Sequence, residues 1–115
     1  MQYMLAIYHD EAAIKCAQSD AQVMAEHQAY TEALKKAGAF LAVNALQPSS
    51  TATTVRVKQG KTDVLDGPYA EAKEQLAGYY LIEAPDLDAA IAWAARCPDS
   101  SVGRVEIRPT FTLPF

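Results

Sequence analysis

Apolar side chains occur along this chain in two patterns, short unbroken runs and stretches with helical spacing. Residues 3–8 form an almost unbroken apolar run, short enough to be a strand buried on both faces. Residues 21–37 predict an amphipathic helix, with Ser19-Asp20 offering an N-cap and Gly38 ending it in a left-handed conformation. One stripe of that helix combines apolar side chains with an imidazole: Val23, His27, Tyr30, Leu34 and Ala37.

The rest of the chain predicts five more strands and one more helix. The strands are expected at residues 40–46, 53–57, 62–65, 79–83 and 104–109. The second helix is expected to begin after Asp86, a favourable N-cap, and to stop at Pro98. Its inner stripe is expected to be Leu87, Ile91 and Ala94.

The third and fourth strands read as a hairpin around Gln59-Gly60. If those two residues are the loop, Arg56 lies opposite Asp63. The same register pairs Val55 with Val64. Facing opposite charges support this register, because directly opposed side chains interact across a strand pair.

This order of elements predicts an α+β fold, a ferredoxin-like βαββαβ sandwich with an inserted β-hairpin. Two helices cover only one face of such a sheet. The strands at 3–8, 40–46 and 79–82 nevertheless offer apolar side chains to both faces. A homodimer with its sheets packed face to face resolves this mismatch, and a large ligand held by a concave sheet is the alternative.

Composition narrows the classes of function. A chain of 115 residues is expected to be one domain, residues 1–115, and its net charge of -4 argues against nucleic-acid binding. No apolar run approaches the roughly 20 residues that span a bilayer. With no cationic leader at the N-terminus, we expect a cytoplasmic protein. Cys16 and Cys97 are expected to be reduced, packed thiols, with a disulfide between them as the alternative.

Residues 66–80 combine a turn-forming tripeptide, a charged connector and an aromatic strand. Beginning at Asp66-Gly67-Pro68, this stretch closely resembles the signature of the DGPF (DGPFAETKE) family within the YCII-related superfamily. Further segments of the chain resemble the same family: residues 3–8 and 10–11, 45–48, 53–57, 80–87 and 105–109. The resemblance therefore runs nearly end to end. The chain departs from the pattern at Tyr69 (usually Phe), Ala72 (usually Thr) and His9 (commonly Gly).

The resemblance implies a dimeric α+β barrel related to muconolactone isomerase-like folds. Members of the family are mostly uncharacterised, and some lie near extracytoplasmic-function sigma factors. A wider relative acts as a dehydrochlorinase in the breakdown of chlorinated aromatics. These properties imply either small-molecule chemistry or a regulatory association.

His27 is the sharpest candidate for chemistry. On the apolar stripe of a helix, burial favours the neutral imidazole that a general base needs. In YCII-like relatives a histidine stands at the same distance before the helix-ending glycine, here Gly38, and is thought to act with an aspartate. The alternative is a packed histidine bonded to a backbone carbonyl.

The carboxylate that would assist His27 is open between Asp10 and Asp66, with Asp66 preferred. Wider relatives often have an Asp-Pro pair after the second helix, whereas this chain has Cys97-Pro98 with Asp99 one step late. Asp66 is also a residue type that caps turns, which is the alternative interpretation. If Asp66 points into a pocket, the hydroxyl of Tyr69 would reach the same place.

Other side chains are candidates for holding a ligand: His9, Asp10, Tyr69, Tyr79 and Lys73. Lys73 lies in residues 71–74, which read equally well as a solvated helical turn. His9 and His27 have no fixed ligand spacing, so no metal is expected. The proposed chemistry implies no cofactor.

Two functions of different classes follow. The first is a cofactor-free isomerase or lyase that acts on a small cyclic or aromatic metabolite through His27. The second is a non-catalytic ligand-binding or regulatory homodimer, with a sigma factor as the candidate partner. A His–carboxylate pair in an open cleft would favour the first function, whereas a sealed His27 would indicate packing alone.

Overall fold

The protein folds around one antiparallel sheet, seen in a computed structural model that describes residues 1–13 and 20–115. Its strands are β1 (Gln2–His9), β2 (Phe40–Ala45), β3 (Thr53–Lys58), β4 (Lys61–Asp66), β5 (Gln75–Glu83) and β6 (Arg104–Pro109). Four of them form the main sheet in the spatial order β2-β5-β1-β6, and β3 and β4 form a separate hairpin. Without the hairpin, this is the ferredoxin-like strand order, so the predicted α+β fold is confirmed.

Two helices pack on one face of this sheet, α1 (Asp20–Lys36) and α2 (Leu87–Arg96). Tyr30 of α1 lies edge-on to the ring of Tyr80, with ring centroids 5.0 Å apart. Its hydroxyl donates a hydrogen bond of 2.7 Å to the carbonyl of Trp93 in α2. That carbonyl belongs to the last turn of the helix, where it has no partner within the helix. Tyr30 therefore joins both helices to the sheet.

The cap and register predictions are confirmed where the structure tests them. Gly38 has φ +72°, the left-handed conformation expected after α1. Asp86 is the N-cap of α2, since its side chain accepts a hydrogen bond from the N–H of Ala89. In the hairpin, Arg56 pairs with Asp63 and Val55 with Val64. Ser19 of the expected N-cap of α1 lies outside the described residues.

Two predictions about local structure are wrong. The predicted inner stripe of α2 is right at Ala94 but wrong at Leu87 and Ile91, which are half exposed, and the second buried residue is Ala90. All four lie on one broad face of the helix, and small side chains let the helix approach the sheet closely along the alanine edge. Residues 71–74 are irregular rather than helical. They lead directly into β5, which begins at Gln75, four residues earlier than the predicted strand.

Alternation along the strands gives the main sheet a second face, turned away from α1 and α2. Ala6 on this face is buried, and Met4, Tyr79 and Leu81 are partly exposed. The apolar character expected on both faces is therefore present. Of the helices formed by the described residues, none is long and apolar enough to cross a membrane.

A candidate acid–base site between helix α1 and the sheet

A cleft of about 830 Å³ separates α1 from the end of the sheet where β2 and β5 meet. Most of its exposed wall is apolar, as is usual for a small-molecule site, and polar or charged side chains from α1, β1 and β2 also line it. The apolar walls include Val23, Met24, Val43, Leu46 and Ala77. The polar side chains that carry the site chemistry are His27, Thr31, Tyr80 and Asp99.

His27 and Asp99 form a close pair in this cleft. Nε2 of His27 lies 3.0 Å from Oδ2 of Asp99. The His27 side chain is 25% exposed and that of Asp99 is 10% exposed, so the imidazole reaches the cleft while the carboxylate lies behind it. Helix α1 presents His27 one turn before Tyr30, which anchors that part of the helix to the core. The pair is thus held on a rigid element and remains accessible.

Asp99 reaches His27 from a short 3₁₀ helix, Pro98–Ser101, that directly follows α2. Cys97 precedes this turn, and its Sγ donates a long hydrogen bond of 3.8 Å to Oδ2 of Asp99. The backbone carbonyl of Asp99 accepts from the N–H of Gly103 at 2.8 Å. These bonds fix both the turn and the carboxylate, so Asp99 has one oxygen aimed at the imidazole.

Tyr80 and Thr31 complete a hydrogen-bonded chain on the other side of the ring. The Tyr80 hydroxyl lies 3.1 Å from Nδ1 of His27 and 3.1 Å from Oγ1 of Thr31. Asp99 as a carboxylate only accepts and faces Nε2 of His27, which favours the neutral tautomer with its proton on Nε2. In a neutral ring Nδ1 then accepts from the Tyr80 hydroxyl, which itself accepts from Thr31. In a protonated ring the same two bonds reverse direction.

This reversal means that no hydrogen bond is lost when His27 changes its protonation state. A group that gains and gives up a proton in a partly buried site needs such partners, because an unpaired buried donor or acceptor is costly. Tyr80 and Thr31 are both hydroxyls, which donate or accept as required. The network is therefore suited to proton transfer at Nδ1.

Burial shifts the titration of the groups beneath the cleft. It raises the pKa of Tyr80, an effect that the hydrogen bond from Thr31 partly opposes. It also raises the pKa of Cys97 from 9.0 to about 12, and the pKa of Tyr30 moves upward for the same reason. These hydroxyl and thiol groups keep their protons at neutral pH and act as hydrogen-bond donors there.

Asp66 is not the carboxylate beside His27. It lies exposed at the end of β4, and the residue whose oxygen meets the imidazole is Asp99. The physical reason is the hairpin, which carries the Asp66-Gly67-Pro68 turn away from α1. Asp10 is not in contact with His27 either, because its carboxylate accepts from the N–H groups of Ala12 and Ala13.

The candidate ligand-binding residues lie in different parts of the structure. His9 lies in the same cleft as His27, and its Nδ1 is buried without a hydrogen-bond partner among the residues that the structure describes. Asp10 and Lys73 line a different cavity, of about 810 Å³. Tyr69 is 90% exposed, and the Tyr79 hydroxyl accepts from Asn44 at 2.8 Å. Only His9 is therefore brought together with His27.

The sequence interpretation missed three members of the network. Asp99 was visible as an acid one position beyond the place where relatives have theirs. Tyr80 and Thr31 carried no separate signal, although Thr31 follows His27 by one helical turn and so shares its face. Within residues 1–13 and 20–115, no three metal-ligating side chains converge on one point. Cys97 is a free, buried thiol, and Cys16 lies outside the described residues.

Comparison with known proteins shows the family of the chain. The model of the YCII-related domain matches residues 1–113. The chain is also 37% identical over 113 residues to the uncharacterized protein R00369 of Rhizobium meliloti (strain 1021), covering 95% of this chain and 91% of that protein. A match of this extent, on a ferredoxin-like α+β fold, identifies the chain as a member of the YCII-related family.

Proposed function

We propose that this protein is an acid–base catalyst that acts on a small molecule bound in the cleft beside α1. The observation that supports it is the His27–Asp99 pair, in which Nε2 and Oδ2 lie 3.0 Å apart beside a cleft of about 830 Å³. The reaction class is a cofactor-free isomerisation or elimination, in which the proton moves between substrate and imidazole.

In this proposal each residue of the network has one role. Nδ1 of His27 removes a proton from a carbon next to a carbonyl group, while Asp99 orients the ring and balances the charge that the ring gains. Tyr80 keeps its proton because of its raised pKa, and its hydroxyl turns its hydrogen toward Thr31 as the ring is protonated, which frees Nδ1 to take the proton. The proton then returns to another carbon, or a leaving group departs.

The walls of the cleft favour a compact and largely apolar substrate. Val23, Met24 and Val43 offer apolar contact, and polar or charged side chains beyond the His27 network also line the cleft. A cyclic or aromatic metabolite with one carbonyl or carboxyl group matches this distribution. His9 would supply a second imidazole at the edge of the cleft, where it would bind a polar substituent.

Deuterium exchange tests the proposal without knowledge of the natural substrate. A panel of small lactones, cyclic ketones and aromatic acids is incubated with the protein in D₂O, and ¹H NMR follows the signal of the carbon next to the carbonyl. We expect exchange of at least one compound with the natural protein. His27→Gln should abolish it, while Glu32→Gln, a change on the same helix at the rim of the cleft, should retain it.

Two outcomes oppose the proposal. A compound that binds and perturbs the His27 resonances, but never exchanges, indicates the non-catalytic ligand-binding dimer instead. Exchange that survives in His27→Gln removes the imidazole from the chemistry. The folded state of each variant is checked by circular dichroism, so loss of structure is not mistaken for loss of catalysis.

We also propose that the protein is a homodimer whose sheets pack through the face that contains Met4, Tyr79 and Leu81. The support is the partial exposure of these apolar side chains on the face turned away from the helices. The Asp66-Gly67-Pro68 turn supports assignment to the DGPF subgroup of the family. Sedimentation equilibrium of Leu81→Lys tests the dimer, since a lysine there should favour the monomer.

A further inference from the structure

We infer that the β3–β4 hairpin is an arm that packs its valine face against a second copy of the chain. Every residue of the two strands except Thr54 is exposed. The hairpin therefore extends from the domain instead of lying on it. This arm is a contact additional to the proposed sheet-to-sheet dimer and independent of the proposed catalysis.

The two faces of the hairpin differ in character. Val55 pairs with Val64, and Val57 pairs with Thr62, so these side chains share one face. The three valines on it are 59–66% exposed. The opposite face contains the Arg56–Asp63 pair and is much more polar. The valine face thus has the apolar composition of a strand surface that packs against another surface.

The hydrogen bonds at the base of the hairpin join its own two ends. The N–H of Gly67 donates to the carbonyl of Ala52 at 2.7 Å, and Oγ1 of Thr54 donates to the carbonyl of Gly67 at 2.9 Å. A two-stranded hairpin without a packing partner is at best marginally stable in water. Its order therefore requires a surface that covers the valine face in every folded molecule.

A second copy of the chain satisfies this requirement, because it is always present in equal amount. Charge favours the same occupant. The hairpin carries Arg56, Lys58 and Lys61 against Asp63 and Asp66, so it is net cationic within a chain of net charge -4. The arm of one copy is thus attracted to the body of another.

The size of the surfaces points the same way. Four strands of six to nine residues, spaced about 4.8 Å apart and rising about 3.3 Å per residue, give the main sheet a face of roughly 450 Å². A stable interface usually buries about 800 Å² on each partner. The hairpin adds roughly 200 Å² by the same geometry, which brings the combined surface close to that size.

The test compares two variants, with lysines at residues of similar exposure on opposite faces of the arm. The double variant Val57→Lys/Val64→Lys places charge on the valine face, and Leu65→Lys places it on the other. Light scattering after size exclusion gives the mass, which for the natural protein should be twice the chain mass of 12.5 kDa. The double variant should raise the dimer Kd at least tenfold, whereas Leu65→Lys should leave it unchanged.

Hydrogen exchange of the hairpin amides supplies the second measurement. We expect residues 53–66 to exchange slowly in the natural protein and rapidly in the double variant. Three results would overturn the proposed arm contact. They are a monomeric natural protein with fast hairpin exchange, a dimer Kd that the double variant leaves unchanged, and a dimer Kd that Leu65→Lys raises as much as the double variant does. A dimer lost in Leu81→Lys but retained in the double variant would leave the sheet contact standing and remove the arm.

Discussion

Nε2 of His27 lies 3.0 Å from Oδ2 of Asp99, although the two residues come from opposite ends of the chain. His27 belongs to the first long helix and Asp99 to the 3₁₀ turn that follows the second. The two helices lie side by side on the sheet, and Tyr30 bonds one to the other. Their packing is what brings an imidazole and a carboxylate together at the mouth of a cleft.

Asp99→Asn should reduce exchange activity by roughly 10²–10⁴-fold, the range over which a positioned acid–base group contributes. The amide keeps the shape of the carboxylate but does not balance the positive charge that His27 gains. The rate is measured by NMR in D₂O on any compound that the natural protein exchanges. Asp88→Asn, an exposed acid in the first turn of α2, is the matched control and should remain active.

Tyr30→Phe should lower the free energy of unfolding by about 1–3 kcal/mol. The substitution removes the hydroxyl that bonds the Trp93 carbonyl and leaves that carbonyl without this partner. Urea denaturation followed by circular dichroism measures the change. Tyr69→Phe serves as control, because Tyr69 is 90% exposed and loses only a solvated hydroxyl. Equal stability of the two variants would contradict the anchoring role of Tyr30.

Alkaline pH should destabilise the fold through Cys97. Its thiol titrates near 9.0 in an unfolded chain, but burial raises its pKa to about 12 in the fold. Between these values only the unfolded chain loses the proton, so stability is complete below pH 9 and falls as pH rises toward 12. The slope is about 1.4 kcal/mol per pH unit for one such group.

The contribution of Cys97 is separated from that of the tyrosines by substitution. Tyr30 and Tyr80 also have raised pKa values, but their ordinary pKa of 10.0 is higher than that of the thiol, and both are present in either chain. Between pH 9 and 10, Cys97→Ala should therefore show a shallower fall of unfolding free energy than the natural protein. Cys16 is present in both chains and cancels in the comparison. Identical slopes would mean that the Cys97 thiol titrates normally.

Gly103→Ala should be strongly destabilising, by several kcal/mol or to the point of failed folding. A Cβ at this position would lie 2.1 Å from the carbonyl oxygen of Tyr8 and 2.8 Å from Cβ of His9. Backbone has to move to relieve such a contact, and the move would displace β1 beside the cleft. Ser101→Ala, in the neighbouring 3₁₀ turn, is expected to cost far less. Thermal unfolding of both variants distinguishes them.

The fold was largely predictable because its signals are local. Alternating side chains gave the hairpin register, and Asp86 and Gly38 each mark a helix boundary by their own chemistry. The inner face of α2 was not predictable in this way. Leu87 is more hydrophobic than Ala90, yet the close approach of helix to sheet buries the smaller side chain. Such a choice depends on tertiary packing, which single positions do not encode.

Only one member of the His27–Asp99 pair was predicted from the sequence. His27 stood out because a titratable ring on an apolar helical stripe is unusual. The position of its partner, Asp99, depends on the path of the turn after α2. The Cys97-Pro98 pair stands where wider relatives have Asp-Pro, so Asp99 was not chosen. Asp66 was chosen for its place in a recognisable motif, whereas the fold places that motif at the base of the hairpin. A motif's position in sequence does not fix its position in space.

The reversible hydrogen bonds around Tyr80 have a consequence for the timing of any reaction. Because Thr31, Tyr80 and His27 exchange donor and acceptor roles by rotation of hydroxyl hydrogens alone, heavy atoms do not have to move when the ring changes charge. Hydroxyl rotation in such a network is fast compared with loop or helix motion. A change of charge on the ring in this cleft would then not have to wait for any movement of the helix or the sheet.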